Sequence, residues 1–147
     1  MKTESKEPDD AGDSATILNS LHFTHFWLTD KYKAILAKYG ITVQQFNVLM
    51  AVARLHPKSI TVTELKTRLP EKNADVSRVV TRLTDKKLLK RTVNLQNRRK
   101  VEITMTEKGC KLVERIQQEQ PYKKFTSAFS VDEVTLFTSL LKKLRVP

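Results

Sequence analysis

The sequence predicts a mainly α-helical fold with one small β-hairpin. Three observations carry that prediction. Ser/Thr-x-x-Glu/Gln patterns begin at Thr42, Thr61 and Ser130, each just ahead of an apolar run, as expected of helix N-termini. Apolar residues recur at helical spacing before and after one short interval. Between Leu88 and Met105 alone the period switches to the alternation of paired strands.

A length of 147 residues suits one compact domain. No apolar run approaches the length of a membrane span or has the pattern of a secretory signal. Cys110 is the one cysteine and cannot form an internal disulfide, which fits a reducing compartment. The expectation is a cytoplasmic chain that does not use a membrane. The formal charge is +11, although the first thirteen residues are net acidic, with Lys2 and Lys6 against Glu4, Glu7, Asp9, Asp10 and Asp13. The positive charge therefore belongs to the remainder. Residues 1–13 have too few apolar groups to offset ordering and are expected to form a loose tail.

From Ser14 to Tyr39 there is neither Pro nor Gly. Ile17, Leu21, Leu28, Tyr32, Ile35 and Tyr39 fall near one helical stripe, which Gly40 ends. Phe23, Phe26 and Trp27 lie off that stripe, so the helix is apolar on more surface than one core can cover. A second copy of the chain or the wall of a ligand pocket would cover them. His22 and His25 lack a companion Cys or carboxylate cluster and make a poor metal site.

Thr42-x-x-Gln45 should open a helix from Val43 to about Leu55, with Phe46, Leu49, Met50 and Ala53 as its buried face. Ile60 can add a short strand residue, Thr61-x-x-Glu64 opens a short helix to Leu69, and Pro70 stops it. The next helix is expected to begin with Asn73 as N-cap. Val76, Val79, Val80 and Leu83 form its buried stripe, while Ala74, Ser77, Arg78, Thr81 and Asp85 face outward with Arg82 on the flank. Short residues and hydroxyls around a long guanidinium suit a DNA groove, where Arg can donate twice to guanine O6 and N7. An ordinary solvated face has similar composition, so the neighbouring residues matter.

Those neighbours are basic. Leu89, Arg91, Val93 and Leu95 share one parity, and Val101, Ile103 and Met105 repeat it, with Gln96, Asn97, Arg98 and Arg99 as the turn. From Lys86 to Lys100 the chain carries Lys86, Lys87, Lys90, Arg91, Arg98, Arg99 and Lys100 and no acidic residue, the electrostatic footprint of a nucleic-acid surface. Thr106 should cap the following helix, with Leu112, Val113 and Ile116 apolar. Ser130-x-x-Glu133 opens a last helix with Val134, Phe137, Leu140, Leu141 and Leu144 at helical spacing.

The order A-D-V-S-R-V-V-T-R-L-T-D-K-K-L-L-K-R, then N-R-R-K-V-E-I-T-M-T-E-K-G, resembles the recognition helix and wing of the MarR family of bacterial transcriptional regulators. The resemblance implies a winged helix-turn-helix, mainly α with a β-hairpin wing, spanning residues 14–147. Residues 14–40 and 106–147 would supply dimerisation helices and residues 41–105 the DNA-binding lobe. It further implies a homodimer on double-stranded DNA, acting as a ligand-responsive repressor with a small-molecule effector. The DNA contacts would come from Asn73, Ala74, Ser77, Arg78, Thr81, Arg82, Arg98, Arg99 and Lys100, with Phe23, Phe26 and Trp27 near the effector pocket. Lys87 stands where the family usually has Gly, and Asn97 where it usually has Asp.

No catalytic constellation or phosphate-cradling Gly motif is visible, so no enzyme, cofactor or metal is expected. Cys110 lies beside Lys108 and Lys111, which would modestly favour a thiolate, and is expected to be structural or incidental. The alternative function is a winged-helix scaffold that binds protein or RNA without operator specificity.

Overall fold

A computed structural model of the chain describes residues 14–71, 75–94, 97 and 100–146. The tail, Asn73, Ala74, Leu95, Gln96, Arg98 and Arg99 lie outside them. The elements are α1 (Ser14–Ala37), α2 (Val43–Ala53), β1 (Ile60–Thr61), α3 (Val62–Arg68), α4 (Val76–Asp85), β2 (Leu89–Val93), β3 (Val101–Met105), α5 (Glu107–Glu119), α6 (Lys123–Thr126) and α7 (Val131–Leu144). They fall into two compact units, one ending at Cys110 and one beginning at Lys111.

The first unit is built around α2, which packs against α1, α3, α4 and β3. Its sheet has the order β1-β3-β2, both pairings antiparallel, with Ile60 opposite Ile103 and Leu89 opposite Met105. Leu36, Val48, Leu49, Val52, Ile60, Leu65, Val76, Val80, Leu83, Leu89 and Ile103 form the core. Each such side chain contributes about 1.5–3 kcal/mol when fully removed from water.

All three capping boxes form as the sequence predicts: Thr42, Thr61 and Ser130 each accept the N–H three residues on, while Gln45, Glu64 and Glu133 bond back. Thr106 also caps as expected, its hydroxyl accepting the Gly109 N–H at 3.0 Å. Gly109 has a steric role here, because a β-carbon would run into the Leu88 carbonyl oxygen and press on Met105.

Several expectations need correction. The first helix ends at Ala37, two residues before Tyr39, and turns through Gly40 at φ 70°. α2 stops at Ala53, and its buried residues are Gln45, Val48, Leu49, Ala51 and Val52. Of the four residues expected inside, only Leu49 is buried. A helix with neighbours on several sides has no single wet face, so its periodicity misleads. α4 begins at Val76 with Asp75, not Asn73, as its N-cap, the carboxylate accepting the Arg78 N–H at 3.1 Å. Asn and Asp cap about equally well, so type alone cannot choose between them.

At the end of α4, Leu88 N–H bonds the Leu83 carbonyl at 2.9 Å and Lys87 N–H the Thr84 carbonyl at 2.8 Å. These are the two bonds of a Schellman termination. Lys87 therefore occupies the left-handed position at φ 59° despite not being glycine. Its carbonyl is held in turn by the Thr106 hydroxyl at 2.7 Å.

In the second unit Val113 and Ile116 are buried. α7 has no buried residue: Val131, Val134, Leu136, Phe137, Leu140 and Leu144 are all exposed in the single chain. Phe129 stacks on Phe137 with ring centroids 6.2 Å apart. No helix among the described residues is long and apolar enough to cross a membrane.

Candidate nucleic-acid interface

α4 divides cleanly into two faces. Val76, Val79, Val80 and Leu83 are buried, whereas Ser77, Arg78, Thr81, Arg82 and Asp85 are exposed. Among the described residues, the Ser77 hydroxyl and the guanidinium groups of Arg78 and Arg82 make no hydrogen bond or ion pair within the chain, so their donors point to solvent. Thr81 differs. Its hydroxyl donates to the Ser77 carbonyl at 3.0 Å and accepts from Arg91 Nη1 at 3.2 Å. Its hydroxyl proton is thereby committed, leaving one lone pair and the methyl open.

The Arg91 bond ties the first wing strand to the exposed face of α4, a link that the sequence reading missed. Register decides which strand residue lies beside Thr81, and the sequence left that register open.

The basic run is not uniformly directed outward. Lys86 Nζ donates to the Gly40 carbonyl and, at 3.2 Å, to Gln45 Oε1, while Lys108 Nζ donates to the Lys86 carbonyl at 3.0 Å. Lys86 thus adds a second hydrogen bond to the Gln45 amide oxygen, which also accepts the Thr42 N–H at 3.2 Å, and anchors the α1–α2 corner to the end of α4. Lys87, Lys90, Arg91 and Lys100 are exposed, Arg91 on the strand face that meets α4 and Lys90 on the opposite one. Arg98 and Arg99, expected at the tip, lie outside the described residues, as do Asn73 and Ala74.

Glu64 lies close enough to Lys100 to feel its charge. Glu64 accepts the Thr61 backbone N–H at 2.9 Å and its hydroxyl at 2.8 Å. Those bonds, first the backbone one and then the hydroxyl, hold its carboxyl below the ordinary glutamate value, with smaller help from the charges of Lys100 and Arg68.

The three aromatic residues singled out for a pocket are at the surface of α1, with Phe23, Phe26 and Trp27 exposed to 37%, 66% and 44%. Phe26 meets the rings of His22 and His25 at centroid distances of 6.0 and 5.6 Å, and Lys31 sits over Trp27 at 5.8 Å. A pocket that the structure does form lies elsewhere, lined by Gln44, Asn47, Val48, Leu69, Pro70, Glu71, Val76 and Val79. No group of three or more metal-ligating side chains occurs among the described residues.

The lobe and its wing match a known family. Residues 39–100 fit the model of the MarR family. No curated protein sequence matches the chain. Among solved structures, a cysteine-to-serine mutant of MarR from E. coli complexed with operator DNA is 26% identical, with a TM-score of 0.77 over 94% of this chain and 100% of that one. The reduced form of E. coli MarR is 24% identical, with a TM-score of 0.71 over 94% and 100%. BpsR of Bordetella bronchiseptica, whose DNA binding is regulated by 6-hydroxynicotinic acid, is 23% identical, with a TM-score of 0.75 over 88% and 98%. A helix-turn-helix beside a small three-stranded sheet, a matching family model over that lobe and a fold shared along nearly the whole chain lead to one conclusion: the lobe spanned by residues 39–100 is of the MarR family's winged-helix type.

Proposed function

We propose that this chain is a homodimeric transcriptional repressor that binds double-stranded DNA. In this reading α4 enters the major groove, where Ser77, Arg78, Thr81 and Arg82 face the bases and nearby phosphates, with Asn73 and Ala74 just ahead of the helix. Arg98, Arg99 and Lys100 reach the adjacent minor groove or its phosphates. Arg suits that position because a flat, weakly hydrated guanidinium enters a narrow groove at low desolvation cost.

The observation that carries the reading is the α4 face itself. Its guanidinium groups are exposed and uncommitted beside the exposed cations of the wing, while the opposite face is locked into the core. Operator DNA is what the similar E. coli protein was crystallised with, and a small molecule regulates the similar Bordetella protein. By analogy a small acidic aromatic compound is a reasonable first effector to try here, near Phe23, Phe26 and Trp27.

Two copies would meet through the exposed apolar faces of α1 and α7, placing two recognition helices about 10 bp apart or a multiple of that. The test is titration of short duplexes at graded salt. A DNA reader loses affinity steeply as salt rises and keeps a preference for one sequence. A chain that shows neither behaviour is a scaffold for protein or RNA instead.

A further inference from the structure

The solvent side of the wing sheet carries a side-chain bridge that the proposed DNA contacts do not use. On the central strand β3, Glu102 stands opposite Thr61 of β1 and Thr92 of β2. Residues two apart share a sheet face, so Ser59 and Asn94 are its diagonal neighbours on either side. The carboxylate takes one with each oxygen. Oε1 accepts from Asn94 Nδ2 at 2.6 Å, and Oε2 accepts from Ser59 Oγ at 3.2 Å.

Asn94 passes this anchorage into the turn. Its Oδ1 accepts the Asn97 N–H at 3.0 Å, its own N–H donates to the Lys100 carbonyl at 3.0 Å, and Lys100 N–H donates to the Asn97 carbonyl at 2.8 Å. A single carboxylate therefore joins the segment before β1 to the root of the basic turn.

We propose that Asn94 and Glu102 are the positioning residues of the wing, tying Asn97 and Lys100 to the sheet so that less ordering is left for DNA binding. This rests on the DNA-binding reading above, and the experiment separates the two. Asn94→Asp keeps the acceptor for the Asn97 N–H but loses the donor to Glu102 and sets two carboxylates together. Glu102→Gln keeps an acceptor oxygen. The two changes combined restore the bond with donor and acceptor exchanged, at wild-type net charge.

Duplex affinity should fall by about tenfold or more in Asn94→Asp, change little in Glu102→Gln, and return to within about threefold of wild type in the double variant. If the two single effects simply multiply in the double variant, they reflect charge alone and the positioning role is overturned. Amide exchange at Asn97 and Lys100 in DNA-free protein supplies the second measurement. It should accelerate in Asn94→Asp and recover in the double variant. Unchanged exchange overturns the brace regardless of DNA. A wild-type chain that binds no duplex overturns the DNA-binding reading, while the exchange result still decides whether the brace exists.

Discussion

Arg91 Nη1 donates to Thr81 Oγ1 at 3.2 Å, so the first strand of the wing is tied to the exposed face of the helix beside it. Each partner has a different consequence for DNA. Arg91 brings a charge as well as a tie, whereas Thr81 is uncharged.

Arg91→Ala should therefore weaken binding to all duplexes and reduce the salt slope by about one unit. Thr81→Val keeps the methyl and the shape, and should leave that slope unchanged. Its stability should shift by no more than about 0.5 kcal/mol, because the lost bonds are exposed. Titrations at several salt concentrations distinguish the pair. Equal slopes for both variants would mean that the Arg91 charge is not felt by DNA.

Arg78 stands at the middle of the outer face of α4, with its guanidinium uncommitted and its N–H already used by Asp75. Arg78→Ala should cost about 1–3 kcal/mol on the preferred sequence and flatten the preference at one base pair. Equal loss on specific and random duplexes would assign Arg78 to a phosphate.

Lys87 offers a stability test independent of DNA. A left-handed L-residue costs about 1–2 kcal/mol, and glycine adds back up to about 1 kcal/mol of unfolded-chain freedom. Lys87→Gly should accordingly stabilise the chain by up to about 1 kcal/mol, seen as a higher urea midpoint with unchanged slope. Lys87→Val should destabilise it. A midpoint that falls in Lys87→Gly would show that the Lys side chain contributes more than its backbone costs.

Much of the fold was legible because it is written locally. The capping boxes at Thr42, Thr61 and Ser130 need only residues three apart, and the switch to alternation after Leu88 needs only the strand itself. What escaped depends on tertiary context. Gln45 is a polar residue at a buried position, its amide oxygen shared between the Thr42 N–H and Lys86, forty-one residues away. Lys86 consequently read as an outward-reaching surface cation, whereas its ammonium is tied to the Gly40 carbonyl and Gln45. The bridge from Glu102 to Asn94 requires the hairpin register, which alternation alone does not specify. Asn73 and Asp75 are equally plausible caps until the helix start is known.

Glu64 gives a pH-dependent expectation with a definite sign. Its folded carboxyl lies below the ordinary value, so its contribution is complete above that value and is lost as pH falls through the lowered one. Thr61→Ala removes the hydroxyl bond and should raise the Glu64 titration midpoint towards that of an ordinary glutamate, as followed by carboxyl NMR. The stability gap between wild type and Thr61→Ala should then narrow in acid. A titration midpoint unmoved by the substitution would show that the Thr61 hydroxyl does not hold the carboxylate.

The apolar faces of the end helices make the last prediction. Phe137 and Leu140 are 50% and 53% exposed in the single chain, so about half of each side chain's burial energy remains available to an interface. At about 1.5–3 kcal/mol per fully buried side chain, the two together would contribute roughly 1.5–3 kcal/mol to association. Every 1.4 kcal/mol is about tenfold in a dissociation constant, so Phe137→Asp with Leu140→Asp should weaken the dimer by at least one to two decades, and by more once a charge is desolvated. Sedimentation should show a micromolar dimer for the wild type and a monomer for the double variant. Circular dichroism should retain most of the helix signal, because neither residue belongs to the buried core. Binding to a palindromic duplex should fall with dimerisation, since one recognition helix then engages one half-site. A wild-type chain that sediments as a monomer at micromolar concentration would leave these faces without the partner proposed for them.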